Sequence, residues 1–258
     1  MVKKRVVVAD VSQADFGVGE RVTKRRAVDE TYRYQHPNPL WHVVAGLVYW
    51  VLASPVAFVV SRMYGMRFVN RAAIRRTGGC YIYGNHTHWT DAIMPYLLAW
   101  PRRGYITAGP VAFSLPVARS IVPMVGGIPL NTTEVGRANF RAALDSMIQA
   151  GHPVAVLPEA HEWPYYNGIR DFPDHSFTYP VRSKAPVIGY VVTYRQRRWR
   201  KHRPPLLTIT VGDPIYPAAW QDHPNPKGYL RDAVHTFMCD TVRENQSYGW
   251  IEYQVTAA

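Results

Sequence analysis

Tyr81-Ile-Tyr-Gly-Asn-His86-Thr-His-Trp-Thr-Asp91-Ala-Ile-Met-Pro95 sets an apolar run ahead of two imidazoles and a carboxylate. Tyr81–Gly84 reads as a buried strand and residues 90–100 as a helix, so His86 falls on the turn between them, with Asp91 in the first helical turn. A strand feeding a helix is the unit of a largely parallel α/β sheet. The same alternation continues downstream, with strands expected at Tyr105–Ala108, 125–130, 154–157, 187–193 and Leu206–Val211. The firmest helix follows Thr132 or Thr133 as cap: Phe140, Leu144, Met147 and Ile148 recur at i, i+4, i+7 and i+8, and Gly151-His-Pro153 ends it. A closing helix is expected over residues 229–242. No internal repeat or low-complexity tract is present.

Upstream, residues 40–60 carry no formal charge, and as a helix they would be about 31 Å long, near the thickness of a bilayer core. Pro55 should kink this segment, and Trp41, Tyr49 and Trp50 favour an interface, so two short helices in one leaflet compete with a single span. Lys24, Arg25, Arg26 and Arg33 precede the segment, and Arg62, Arg67, Arg71, Arg75 and Arg76 follow it. Basic residues at both ends favour an element whose two ends face one anionic leaflet. Residues 1–39 are polar and basic, end in Tyr34-Gln-His-Pro-Asn-Pro39, and read as an arm or short helix that stops before Leu40.

The 258 residues are 47% hydrophobic and 19% charged, an ordinary globular composition, and the net charge of +12 calls for an anionic partner. Cys80 and Cys239 are too few for a disulfide scaffold and lack metal-ligand spacing, which fits a reducing compartment. No apolar run followed by a cleavage site opens the chain, so it is expected to begin in the cytoplasm.

His86 and Asp91 make chemical sense as a dyad, because a carboxylate fixes the imidazole tautomer and supports the imidazolium that forms as a hydroxyl is deprotonated. The spacing alone is cheap. Among ten His and eleven Asp, chance gives about 0.4 pairs five apart, and His235 and Asp240 form a second. That pair lies on one expected helix, where five residues leave the side chains about 140° apart, so His235 reads as structural.

Asn85-His86-x-x-x-x-Asp91 resembles the first block of the glycerolipid acyltransferases, the 1-acylglycerol-3-phosphate (lysophosphatidic acid) acyltransferase superfamily. Gly126-Gly-Ile-Pro-Leu-Asn131 resembles the second block, Val156-Leu-Pro-Glu159-Ala-His-Glu the third and Ala185-Pro-Val-Ile-Gly-Tyr-Val191 the fourth, over roughly residues 65–215. The resemblance implies a mixed, mostly parallel sheet flanked by helices: an α/β acyltransferase domain over 65–258, behind an apolar docking segment over 40–64. It implies transfer of a fatty acyl group from an acyl-coenzyme A or acyl carrier protein thioester to a lysophospholipid hydroxyl, without metal or other cofactor. His86 is then the general base and Asp91 its orienting partner; Asn85, His88, Gly127, Asn131, Pro158, Glu159 and His161 are the expected substrate-binding residues. Backbone amides near Gly126 and Gly127, or at the helix after Asn85, are candidates for the oxyanion. Partners would be the thioester, the lysolipid and an anionic membrane surface on the cytoplasmic face, with no nucleic acid.

Two departures bear on the acceptor. The family's second block usually ends in Arg, where this chain has Asn131-Thr132-Thr133, and its third usually reads Pro-Glu-Gly-Thr-Arg, where this chain has Pro158-Glu159-Ala160-His161-Glu162. Arg137, Arg141 or Arg170 could replace the missing cations, or the acceptor could be another lysolipid or a glycolipid. The run from Arg195 to Arg203, six Lys and Arg with Trp199, could grip headgroups or form a solvated hairpin tip. Three rival readings are a zinc hydrolase using His86 and His88, a basic nucleic-acid-binding module, and an inactive lipid-binding protein. The chain is short for the hydrolase barrel, and no nucleic-acid signature accompanies the charge.

Overall fold

The computed structural model describes residues 4–8, 28–114 and 116–255; Lys24, Arg25 and Arg26 lie outside them. In chain order the elements are β1 (Lys4–Val8), α1 (Pro39–Leu47), a π-helical turn (Val48–Ala53), α2 (Ser54–Met63), β2 (Arg67–Val69), α3 (Ala72–Thr77) and β3 (Tyr81–Gly84). A 3₁₀ turn (Trp89–Ile93) leads into α4 (Met94–Ala99), followed by β4 (Tyr105–Ala108), α5 (Pro116–Met124), β5 (Gly127–Pro129), α6 (Glu134–Gln149) and β6 (Val154–Val156). The chain closes with α7 (Thr178–Ser183), β7 (Val187–Arg195), β8 (Leu206–Val211), α8 (Pro226–Glu244) and β9 (Ile251–Val255).

Seven strands form one sheet in the order β2-β8-β7-β3-β6-β4-β5. Every pairing is parallel except the β7–β8 hairpin, so the sheet is mixed and mostly parallel. β3 lies between β6 and β7, with Tyr81 opposite Val154 on one side and Val187 on the other. It is buried throughout, as a strand covered on both faces must be. Alternation sorts its side chains: Tyr81 and Tyr83 pack with Phe140, Leu144, Leu230 and Met238 on the α6–α8 face, while Cys80 and Ile82 pack with Ile74, Met94 and Leu98 on the other.

Several boundaries differ from the sequence reading for local reasons. The helix expected over 90–100 begins as a 3₁₀ turn and becomes α-helical only at Met94, because Pro95 is tolerated in a first turn and not in a helix interior. The stretch 125–130 gives only a three-residue strand, since α5 occupies the chain through Met124. Thr133 caps α6 as expected, its Oγ1 accepting from the Gly136 N–H at 3.1 Å. Part of the N-terminal arm is a strand: β1 pairs in parallel with β9, Arg5 lying opposite Glu252, in a two-stranded sheet of its own.

The apolar segment is one 25-residue helical run, Pro39–Met63, rather than two separate helices. Asn38 caps it, accepting from the Leu40 N–H. Pro55 has no N–H and would crowd the carbonyl four residues back; the π turn just before it widens the helix and lets the Ser54 N–H reach the Tyr49 carbonyl. Tyr49 and Ala57 pack onto Tyr96 and Leu97. The opposite face leaves Leu40, Val43, Leu47, Val51, Val56, Val59 and Met63 more than half exposed, a stripe far more apolar than a water-facing helix carries.

Candidate active site

β3 ends where Gly84 meets β7. A Cβ there would lie 2.0 Å from the Tyr190 ring, so only glycine lets the two strands approach. One residue on, the Asn85 side chain takes over the ladder: Nδ2 donates to the Val192 carbonyl at 3.0 Å and Oδ1 accepts from its N–H at 2.8 Å. The backbone is thereby freed to turn, and His86 leaves the sheet at the C-terminal end of β3.

The Asp91 carboxylate is fully buried, and its Oδ2 accepts from His86 Nδ1 at 3.0 Å, the Thr87 N–H at 2.8 Å and the His88 N–H at 2.9 Å. The two backbone bonds fix the carboxylate, and the carboxylate fixes the ring. With Nδ1 committed, Nε2 is the nitrogen left to meet a substrate, on a side chain 22% exposed. Burial pulls the His86 pKa down, but the hydrogen bond and charge of Asp91, with Glu162 and Glu159 behind, outweigh it and leave it above the ordinary value.

His88 lies two residues away and is used differently. Its Nδ1 accepts from the Thr90 N–H and lies 2.8 Å from Thr90 Oγ1, capping the turn that carries Asp91, while Nε2 is 3.2 Å from the Tyr165 hydroxyl. Burial pushes its pKa to about 4, against the pull of Asp91, so the ring is neutral around pH 7.

Glu159 follows β6, the neighbour of β3, and reaches the same loop. Its Oε2 accepts from the His86 N–H at 3.3 Å and from Arg170 Nε and Nη2 at 3.2 and 2.9 Å, and its Oε1 accepts from the Arg170 N–H. Burial raises its pKa while Arg170 opposes that shift. Arg170 also donates to the His161 carbonyl, and its guanidinium carbon sits 4.9 Å from the centre of the Trp163 ring. Trp163 and Tyr165 close the loop, donating their N–H groups to the carbonyls of His86 and Thr87 at 3.1 and 2.7 Å. Ala160 stands at φ 63°, a left-handed conformation that suits glycine.

Of the residues named from sequence, His86, Asp91, Asn85, His88, Pro158, Glu159 and His161 therefore gather at the adjoining C-terminal ends of β3 and β6. Gly127 and Asn131 do not. β5 is three strands from β3, roughly 14 Å. Gly127 begins that strand, and Asn131 holds the Asp29 carbonyl at 2.7 Å and the Thr133 N–H at 3.1 Å. Of the amides near Gly126 and Gly127 or at the helix after Asn85 expected as oxyanion donors, that of Gly126 already bonds the Pro123 carbonyl, and those of Thr87 and His88, just ahead of the helical turn, bond Asp91. Among the described residues no group of three His, Cys, Asp or Glu could hold a metal. Arg170 carries the loop from eleven positions beyond Glu159, a spacing without a period; in the sequence it stood out only as a cation near the third block. His235 pairs with Asp171 at 3.3 Å, while Asp240 pairs with Arg243.

A family model described as Acyltransferase matches residues 65–218, nearly the span over which the sequence resemblance runs. No curated protein gives a significant match. Among solved structures, the chain is similar to the crystal structure of the 1-acyl-sn-glycerophosphate (LPA) acyltransferase PlsC from Thermotoga maritima. The TM-score is 0.53 at 13% identity, over 81% of this chain and 95% of that one, a likeness of fold.

Proposed function

Since the chain belongs to the acyltransferase family through residues 65–218, we propose that it transfers an acyl group from a coenzyme A or acyl carrier protein thioester to a lysolipid hydroxyl, with His86 as general base. The observation that carries this reading is the His86–Asp91 contact, which orients a ring of raised pKa and leaves Nε2 for substrate. The acceptor O–H gives its proton to Nε2 as its oxygen attacks the thioester carbonyl carbon. The tetrahedral intermediate then expels the thiolate, which takes the proton back from the imidazolium, leaving an ester and a free thiol. Asp91 supports the imidazolium that exists between the two transfers.

Asn85, His88, Glu159 and Arg170 act in this reading by shaping the loop. Arg170 is spent on Glu159 and the His161 carbonyl, Arg137 is exposed and donates to the Thr132 carbonyl, and Glu162 stands where the family's usual third block has Arg. With Glu162 where that Arg would stand and Arg170 committed to Glu159, the third block offers no fork to a phosphate monoester, so the acceptor in this reading is a lysolipid whose hydroxyl-bearing part is uncharged or zwitterionic. The apolar outer face of Pro39–Met63 seats the enzyme on the cytoplasmic face of a bilayer. Tyr64, just past that helix, accepts from Trp89 Nε1 at 3.2 Å, so the dyad loop lies against the docking element.

An acceptor panel tests this: lysophosphatidic acid, lysophosphatidylcholine and a lysoglycolipid, each with long-chain acyl-coenzyme A and acyl carrier protein thioesters. Faster turnover of an uncharged or zwitterionic acceptor is expected. Preference for lysophosphatidic acid would overturn the acceptor assignment, and no product from any pair would favour a lipid-binding protein without turnover.

A further inference from the structure

A cavity lies away from the dyad. It has a volume of about 740 Å³, within the range of small-molecule sites. Tyr105 and Gly127, the first residues of β4 and β5, line it, as do Arg103 just before β4 and His152 just before β6. His86 and Glu159 follow the last residues of β3 and β6. These strands are parallel, so the cavity is lined from the opposite end of the sheet to the acyl-transfer site and along the edge strand β5.

Its chemistry is one-sided. Arg33, Arg103, His36, His42 and His152 line it, with no Asp or Glu among the described lining residues. Arg103 is clamped between aromatic rings, its guanidinium carbon 4.8 Å from the Tyr49 centroid and 5.3 Å from that of Tyr105. Its Nη2 donates to the Met124 carbonyl, while its Nε, like His152 Nδ1, is buried without a hydrogen-bond partner, so polar capacity is left unsatisfied beside the cavity. Burial and the charges of His42 and Arg33 hold the His36 pKa down; burial and Arg103 do the same to His152. After burial, positive neighbours are what act on both rings.

The remaining lining is apolar. Trp41, Ile128, Pro129 and Met147 contribute, and Trp41 belongs to the first turn of α1, whose neighbours Leu40 and Val43 are exposed. The cavity thus begins where the docking helix begins. We propose that it binds a phosphate-bearing amphiphile, its phosphate against Arg103 and His152 and its chain against Trp41, Met147 and the exposed face of α1. The phosphate could belong to a membrane lipid or to a free ion, and the probes below separate the two.

The full chain, in phosphate-free maltoside micelles, is titrated calorimetrically with octyl phosphate, octyl glucoside and inorganic phosphate, the signal of empty micelles being subtracted. Octyl phosphate should bind saturably at one site, at least tenfold tighter than either other probe. Arg103→Gln, which keeps the aliphatic stem, should weaken it at least tenfold. Ser146→Trp, which fills the cavity from α6, should do the same without touching Arg103, and His86→Ala should leave it unchanged. Octyl phosphate binding equal in wild type and Ser146→Trp would overturn the site. Equal affinity for octyl glucoside would remove the phosphate from the proposal, and equal affinity for inorganic phosphate would replace the amphiphile with a free ion; either refutes it.

Discussion

Asp91→Asn removes one charge from the centre of the dyad and little else. The carboxylate sits 3.0 Å from His86 Nδ1 in a fully buried position, and an amide oxygen can still accept the Thr87 and His88 N–H bonds, so the loop should hold. At 3.0 Å and an effective dielectric constant near 20, the attraction between carboxylate and imidazolium is about 5 kcal/mol. It exists only while the ring carries the proton, and therefore favours the transition state over the resting enzyme. Its loss should lower kcat by about 10³-fold or more. The pH profile should move as well. His86 works as a neutral base, so activity falls as pH drops through its pKa, which in the wild type lies above the ordinary value of 6.5 because Asp91 outweighs burial. Without that charge burial dominates, and the acid limb of kcat/KM must shift to lower pH. Acyl transfer followed by thiol release across pH 5 to 9 reads both effects. A plateau within about threefold of wild type, or a limb displaced to higher pH, would refute a general base supported by Asp91.

Arg170→Ala should leave the Glu159 carboxylate buried and unpaired, costing about 3–5 kcal/mol and lowering Tm by roughly 10 °C in a calorimetric scan. Asn85→Ala strands both backbone groups of Val192 and should cost about 2–4 kcal/mol in urea unfolding, while KM for the acceptor stays near wild type in the folded fraction. Ala160→Gly relieves a left-handed alanine and should raise stability by about 1 kcal/mol in the same titration. His88 has a folded pKa of about 4 against 6.5 when unfolded; the unfolded chain takes up the proton first, so stability present above pH 6.5 is lost as pH falls, by about 3 kcal/mol on reaching pH 4. His88→Gln, read by urea titration at both pH values, should flatten that slope.

What the sequence disclosed was what it carries locally. The buried run of β3, the loop histidine and the carboxylate on the following turn fall within eleven residues, and their contact follows from strand–turn–helix geometry. The Thr133 cap and the apolar stripe of α6 have a period, and the hairpin around Arg195–Arg203 follows from two β-branched runs. The six-residue helices α3 and α7 are too short for a period to declare itself. The β1–β9 pairing joins residues about 247 apart, which no local pattern encodes. In the site, Asn85 and His88 were legible as members of a motif, but their actual bonds, to Val192 and Thr90, depend on the neighbouring strand and on capping geometry. Gly127 and Asn131 share a sequence block yet stand three strands from His86, because block order along the chain is not strand order in the sheet.

The most direct test is acyl transfer by His86→Ala beside wild type, with the acceptor that wild type turns over fastest and with circular dichroism confirming the fold. A base at His86 Nε2 requires that ester formation and thiol release both fall by at least 10³-fold while thioester binding persists. Product formation within tenfold of wild type in the folded variant would contradict the assignment of His86 and move the chemistry elsewhere in the chain.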